Sequence, residues 1–307
     1  MRVIVVGLGV QGRKRLAVAG KEVVATVDPF NAEAQYRHVQ DVPLSSYDAA
    51  LLCIPDESKL ELIAHLLSNG KHLLVEKPLF SADTKGLMSL KTLAEQNHTV
   101  CYTAYNHRFE PHFVRMKQTI ESGRIGKIYC VRMFYGNGTA RLVRDSAWRD
   151  QGSGVLPDLG SHLLDTALFW FGKPSAPFDI YSCNRFENLS FDHFSFGANG
   201  SPVLQLEMTL LNWRNHFYAD VFAEHGSAHI QSLCKWGPST FTLRDRKLPS
   251  GRPDEESVTL VQADPTWELE YQYFKHLCAS GQSNINNDIW INTVLNDLTQ
   301  RSLEATK

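Results

Sequence analysis

Arg2-Val3-Ile4-Val5-Val6 runs directly into Gly7-Leu8-Gly9-Val10-Gln11-Gly12, and Arg13 to Ala19 follows. The first segment is short, apolar and β-branched, which predicts a buried strand. The second is a G-x-G-x-x-G, and the third reads as a helix. The glycine pattern alone says little. Between a strand and a helix it has the context that a dinucleotide site requires. Gly7 permits the tight turn, Gly9 lets the backbone approach a pyrophosphate, and Gly12 lets the helix pack close to the strand. Phosphates would then rest on the first-turn amides, Val10 and Gln11 included, at the positive end of the helix dipole.

A second strand, Glu22 to Val27, ends in Asp28. An acid at this place accepts hydrogen bonds from the ribose hydroxyls of the adenosine. A 2′-phosphate there would meet like charge, roughly 4 kcal/mol at about 4 Å and an effective dielectric near 20. Arg37, the next basic residue, stands some distance on. NAD is therefore favoured over NADP. Strands follow at Tyr47–Ile54, His72–Val75 and Val100–Ala104, with helices at Ser58–Asn69 and Ser81–Gln96. Strict alternation of strand and helix predicts a doubly wound parallel sheet, an α/β class fold. Ligands belong at the carboxyl ends of such strands. Ile54, Pro55, Glu76, Lys77 and Asn106 all fall there. Lys77 can donate to a substrate hydroxyl or carbonyl; an ordinary ion pair is the bland reading.

A second informative stretch is residues 154–171, Gly-Val-Leu-Pro-Asp-Leu-Gly-Ser-His-Leu-Leu-Asp-Thr-Ala-Leu-Phe-Trp-Phe. As a helix at about 100° per residue it puts Asp158, Ser161, His162 and Asp165 on one narrow stripe. Apolar side chains cover the rest, so most of it should be packed inside. Asp158 and His162 stand four apart, one above the other. A carboxylate beside an imidazole suits proton transfer near neutral pH. The competing reading leaves the stripe facing solvent.

The chain has 307 residues, enough for two domains or one large one. A formal charge of −2 gives no electrostatic footprint for nucleic acid. No stretch approaches a membrane span, and the apolar start is too short for a signal peptide. Six scattered cysteines without a C-x-x-C pair suit reduced thiols and a cytoplasmic location, with no metal site expected. After a turn at Gly123–Gly126 the character changes. Seven strand-like runs between Phe178 and Val261 predict a mostly antiparallel open sheet with helices on one face, an α+β domain. The boundary is expected at 120/121, giving domains 1–120 and 121–307. Helices at Trp267–Ala279 and Asp288–Leu303 close the chain.

Taken together, Gly7 to Gly12, the run Gly70-Lys71-His72-Leu73-Leu74-Val75-Glu76-Lys77-Pro78, and Asp158-Leu159-Gly160-Ser161-His162-Leu163-Leu164-Asp165 resemble the Gfo/Idh/MocA oxidoreductases. Glu76-Lys77-Pro78 is the most specific piece. The resemblance implies catalysis by Lys77, Asp158 and His162, the three residues also singled out above. It implies an arginine near the cofactor at Arg149 and polar contacts from Asn106 and Arg108. Asp165 is left to touch substrate, fix His162 or serve structure. The resemblance further implies a homodimer or homotetramer built through the second sheet.

The function expected is hydride transfer between a nicotinamide cofactor and a secondary alcohol or ketone. The substrate would be a sugar, a polyol or a nucleotide-linked sugar. A non-catalytic NAD(P)-binding sensor or scaffold, and a redox-neutral enzyme with recycled NAD, stay open. Tyr135, Trp213, His216 and Trp236 are candidates for sugar contact, although aromatics on a sheet are more often core. Arg141 and Arg144 are compatible with a phosphorylated or nucleotide-linked substrate.

Overall fold

The computed structural model describes residues 1–56, 59–146 and 149–305. Ser58, the expected start of the second helix, lies outside them. In chain order the regular elements begin with β1 (Val3–Val6), α1 (Val10–Ala19), β2 (Val23–Val27), β3 (Ala49–Leu52), α2 (Lys59–Ser68), β4 (His72–Glu76), α3 (Thr84–Gln96) and β5 (Cys101–Ala104). Then come α4 (Pro111–Glu121), β6 (Ile128–Gly136), α5 (Ala140–Arg144) and α6 (Ser161–Phe171). Seven strands follow: β7 (Phe178–Asn184), β8 (His193–Asn199), β9 (Val203–Thr209), β10 (His216–Ala223), β11 (Gly226–Gln231), β12 (Ser239–Lys247) and β13 (Gly251–Leu260). The last elements are α7 (Thr266–Ser280) and α8 (Ile285–Ala305).

The first unit comprises Met1–Asn106 and Pro265–Thr293. Its five strands are parallel, in the order β2-β1-β3-β4-β5. Alternation along the strands decides the two cores. Val3 and Val5 of β1 join Leu51, Leu74 and Tyr102 on one face, under Ala19 of α1 and Tyr271 and Phe274 of α7. Ile4 and Val6 join Leu52, Leu73 and Val75 on the other, under Ile63 and Leu66 of α2 and Leu87 and Leu90 of α3. Both faces are therefore covered, as a parallel sheet requires. The β2-to-β3 crossover carries only short 3-10 turns, at Val39–Asp41 and Leu44–Ser46.

The second unit comprises His107–Asp264 and Val294–Lys307. Its eight strands run in the order β13-β12-β11-β10-β6-β9-β8-β7. Every neighbouring pair is antiparallel except β6 and β9. Val131, Met133 and Tyr135 of β6 point to the buried face, with Phe217 and Ala219 of β10. Arg132, Phe134, Tyr218 and Asp220 occupy the opposite face, where the Phe134 and Tyr218 rings stack 5.4 Å apart. α4 and α6 are joined by a hydrogen bond from Trp170 Nε1 to the Phe113 carbonyl.

Two expectations change. The chain passes from one unit to the other between Asn106 and His107, not at 120/121, and Pro265–Thr293 returns to the first unit. The reason is visible in the core: Tyr271, Phe274 and Leu277 of α7 close the open face of the parallel sheet. The expected regular helix over residues 154–171 is also divided. Leu156–Gly160 is a π turn, and the α-helix starts at Ser161.

Candidate active site

In the first unit the predicted residues line the carboxyl ends of the strands. Gly7 sits at φ +87°, and a Cβ there would come 2.4 Å from the Cys53 carbonyl oxygen. A Cβ on Gly12 would come 1.7 Å from the Gly7 carbonyl oxygen. These two glycines are demanded by the protein itself. Gly9 is different, since a Cβ there meets no protein atom within 4 Å. Gly9 caps α1 without any side-chain hydrogen bond, and the exposed Val10 and Gln11 follow. The helix's first amides are thus not engaged by a capping side chain, the arrangement that anion binding uses.

Asp28 accepts hydrogen bonds from the backbone N–H groups of Leu8, Phe30 and Asn31 at 2.8–2.9 Å. Burial opposes its charge, but these bonds and the Arg37 field hold its carboxyl below the usual range. Arg37 is not remote, as the sequence spacing suggested. It donates to the Pro29 and Asn31 carbonyls. Ile54 is half-buried and Pro55 exposed at the end of β3.

Glu76 closes β4 and accepts from Arg15 Nε at 2.7 Å. Arg15 is buried, lies 4.3 Å from the Trp267 ring centroid, and also donates to Glu270 of α7 at 2.7 Å. Desolvation raises the Glu270 carboxyl to about 7 despite that cation. Lys77 is half-buried and joined to Pro78 by a cis peptide. The Lys59 ammonium braces this corner by donating to the Glu76 and Pro78 carbonyls. Asn106 Nδ2 donates to the Thr266 hydroxyl.

In the second unit the candidate residues gather around α6. Ser161, His162 and Asp165 are buried, so only the Asp158 end of the polar stripe meets solvent. Asp158 lies in the π turn, and His162 in the α-helix that follows it. Asp158 keeps 41% side-chain exposure and lies 3.9 Å from Arg149. The His162 ring stacks on His107, with centroids 4.0 Å apart and planes 19° apart. Tyr135 packs on both imidazoles, at 5.8 and 5.4 Å. Arg108 and Asp165 form a multidentate ion pair with bonds of 2.6–3.1 Å. Burial raises the Asp165 carboxyl while Arg108 pulls it down, with a net rise.

His107 was not singled out from the sequence, although it stands next to Asn106 in a segment directly after a predicted strand end. Lys235 was missed as well. It lies on a short turn, Cys234–Trp236, anchored by Glu110, which accepts from the Cys234 backbone N–H and thiol. That turn sets Trp236 5.8 Å from Tyr135 and the Lys235 ammonium 3.5 Å from the Tyr135 hydroxyl. Tyr135 and Trp236 therefore join the His162 cluster. The other two aromatic candidates do not: Trp213 is fully exposed, and His216 packs with Phe134 and Tyr218 on the opposite sheet face. Arg141 and Arg144 are exposed and lie near Glu187 and Asp145, at 3.8 and 3.6 Å. Among the described residues no helix is long and apolar enough to cross a membrane.

The glycine turn on a parallel sheet, followed along the chain by a large mostly antiparallel sheet, is the architecture of a dinucleotide-binding fold with an appended α+β unit. Residues 1–105 match the oxidoreductase family with an NAD-binding Rossmann fold, and residues 113–186 match the Gfo/Idh/MocA C-terminal domain. The chain belongs to the Gfo/Idh/MocA family. It is 33% identical over 133 residues to an uncharacterized oxidoreductase of Schizosaccharomyces pombe, covering 42% of this chain and 35% of that protein. It is 25% identical over 165 residues to an inositol 2-dehydrogenase of Rhizobium meliloti, covering 50% and 49%. The matched stretches thus span half or less of these relatives' lengths. Among solved structures, levoglucosan dehydrogenase in complex with NADH and levoglucosan aligns with a TM-score of 0.83 at 18% identity, over 100% of this chain and 98% of that one. That likeness shows the fold.

Proposed function

We propose that this chain is an NAD-dependent oxidoreductase acting on a secondary alcohol or ketone of a sugar or polyol. The observation that carries the reading is His162, a buried imidazole stacked on His107 and packed against Tyr135, with Asp158 on the turn before it. In the first unit, Gly9 supports the cofactor assignment. The protein has no steric need for glycine there, so close approach of phosphates supplies the reason. The Asp28 carboxylate, held ionised, suits the ribose hydroxyls of NAD, and Arg37 is the residue that would soften rejection of NADP.

His162 removes the proton from the substrate hydroxyl. Lys77, at the end of β4 in the first unit, serves as a hydrogen-bond donor that stabilises a developing alkoxide. Asp158, paired with Arg149, binds a neighbouring hydroxyl or orients the base. Arg108 and Asp165 neutralise one another and fix the floor under His162 rather than touching substrate. Tyr135 and Trp236 offer rings against which a sugar face stacks. A nicotinamide cofactor held by the Gly7–Gly12 turn and Asp28 would supply the hydride chemistry.

The test is absorbance at the reduced-nicotinamide band with NAD or NADP across polyols, free sugars, sugar phosphates and nucleotide sugars. A rise with NAD on one polyol or sugar is expected, falling by about 10²–10⁴-fold in His162→Asn with cofactor binding retained. Undiminished turnover in Lys77→Met would remove that lysine from the chemistry. Failure to bind either cofactor would overturn the reading as a whole.

A further inference from the structure

His107 stands out among the groups around α6 because its ring lies on the ring of the proposed base. The two imidazoles are nearly parallel, with centroids 4.0 Å apart. His107 is 3% exposed and His162 6%. His107 is held in turn by Phe113 of α4, Tyr135 of β6 and Phe217 of β10, with centroids 5.4–6.4 Å away. Three different elements thus clamp one imidazole against the other. Two rings in this arrangement cannot exchange a hydrogen bond through their faces, so their coupling is electrostatic and steric. Protonating one places a positive charge against the other in a poorly hydrated site, and like charge disfavours the second proton.

We propose that His107 and His162 form a stacked imidazole pair that carries at most one proton in the working pH range, with His107 the positioning residue that fixes the His162 ring. The charged and titratable groups on the surrounding elements do not cancel this coupling. Arg108 and Asp165 neutralise each other. Asp158 lies near Arg149 and retains solvent access. Glu110 is engaged by the Cys234 thiol and amide, and Lys235 lies over the Tyr135 and Trp236 rings. The inference rests on the reading of His162 as the base, but it can be tested without turnover.

The test is NMR titration of the histidine Cε1–H signals in the whole protein, with His107→Phe, His107→Gln and His162→Gln used for assignment. In the unaltered protein the two residues should titrate as a coupled pair, with curves broader than a single ionisation. In His107→Phe, which keeps a stacking ring and removes the charge, His162 should follow a single ionisation displaced by on the order of one pH unit. The glutamine variant repeats the measurement if the phenyl ring disturbs packing. A His162 curve superimposable on that of the unaltered protein in both variants would overturn the pair. The acid limb of kcat/KM separates this inference from the one beneath it. A limb that moves with the His162 curve supports both. Coupled titration with a limb that ignores His107→Phe supports the pair and refutes His162 as the base.

Discussion

The turn at Gly7–Gly12 and the turn at Leu156–His162 both present functional groups at the start of a helix, yet they are built in opposite ways. In the first, backbone packs against backbone. Gly7 and Gly12 are squeezed by carbonyl oxygens, and no side chain takes part in capping α1. In the second, side chains from distant elements decide the geometry. His162 is set by His107 and Tyr135, and Asp165 by Arg108. A site of the first kind is encoded locally and tolerates almost no change at Gly7 or Gly12. A site of the second kind is encoded across the unit, and substitutions there act through the partner left behind.

The largest effect should come from breaking the second kind of site. Arg108→Ala leaves Asp165, 1% exposed, without its guanidinium. Removing one member of a buried pair costs about 3–5 kcal/mol. Urea denaturation should show that loss, and Arg108→Ala combined with Asp165→Asn should recover part of it. A loss below about 1 kcal/mol for the single variant would mean that Asp165 is already neutral and that the pair resembles an ordinary surface bridge.

The glycine turn offers a sharper contrast within one motif. Gly12→Ala drives a methyl group into the Gly7 carbonyl and should cost about 2–3 kcal/mol in the same denaturation experiment. Gly9→Ala meets no protein atom, so its stability should change by no more than about 0.5 kcal/mol. It should nevertheless weaken cofactor binding followed by protein fluorescence. Equal stability losses in the two variants would erase the distinction between a glycine needed by the fold and one needed by a ligand.

The same distinction explains what the sequence revealed. The parallel sheet was legible because β1's apolar run, the glycine spacing and the strand–helix alternation are local signals. The polar stripe of Asp158, Ser161, His162 and Asp165 was legible as a set, because a helical period brings them together. Its interior details were not. The π turn that carries Asp158 depends on packing, with Gly160 lying against Met208 of β9. His107 was hidden because stacking on a ring 55 positions away leaves no periodic trace. The Glu110–Cys234 anchor behind Lys235 spans 124 positions and was equally invisible. The return of α7 to the first unit escaped notice for the same reason: an amphipathic helix carries no label for the sheet it covers.

Glu270 brings the long-range kind of construction into the first unit. It lies 255 positions from Arg15, yet shares that guanidinium with Glu76, the neighbour of Lys77. Desolvation lifts its carboxyl from an ordinary value near 4.5 to about 7. Between those pH values the folded protein binds more protons at this site than the unfolded chain does. Stability from this residue is therefore fully present below about pH 4.5 and declines as pH rises toward 7. Glu270→Gln cannot ionise, so the stability difference between it and the unaltered protein should move in the variant's favour by on the order of 3 kcal/mol across that window. Denaturant midpoints taken at intervals through the window measure it. A constant difference would mean that Arg15 keeps Glu270 ionised throughout, and the cation would then outweigh the burial.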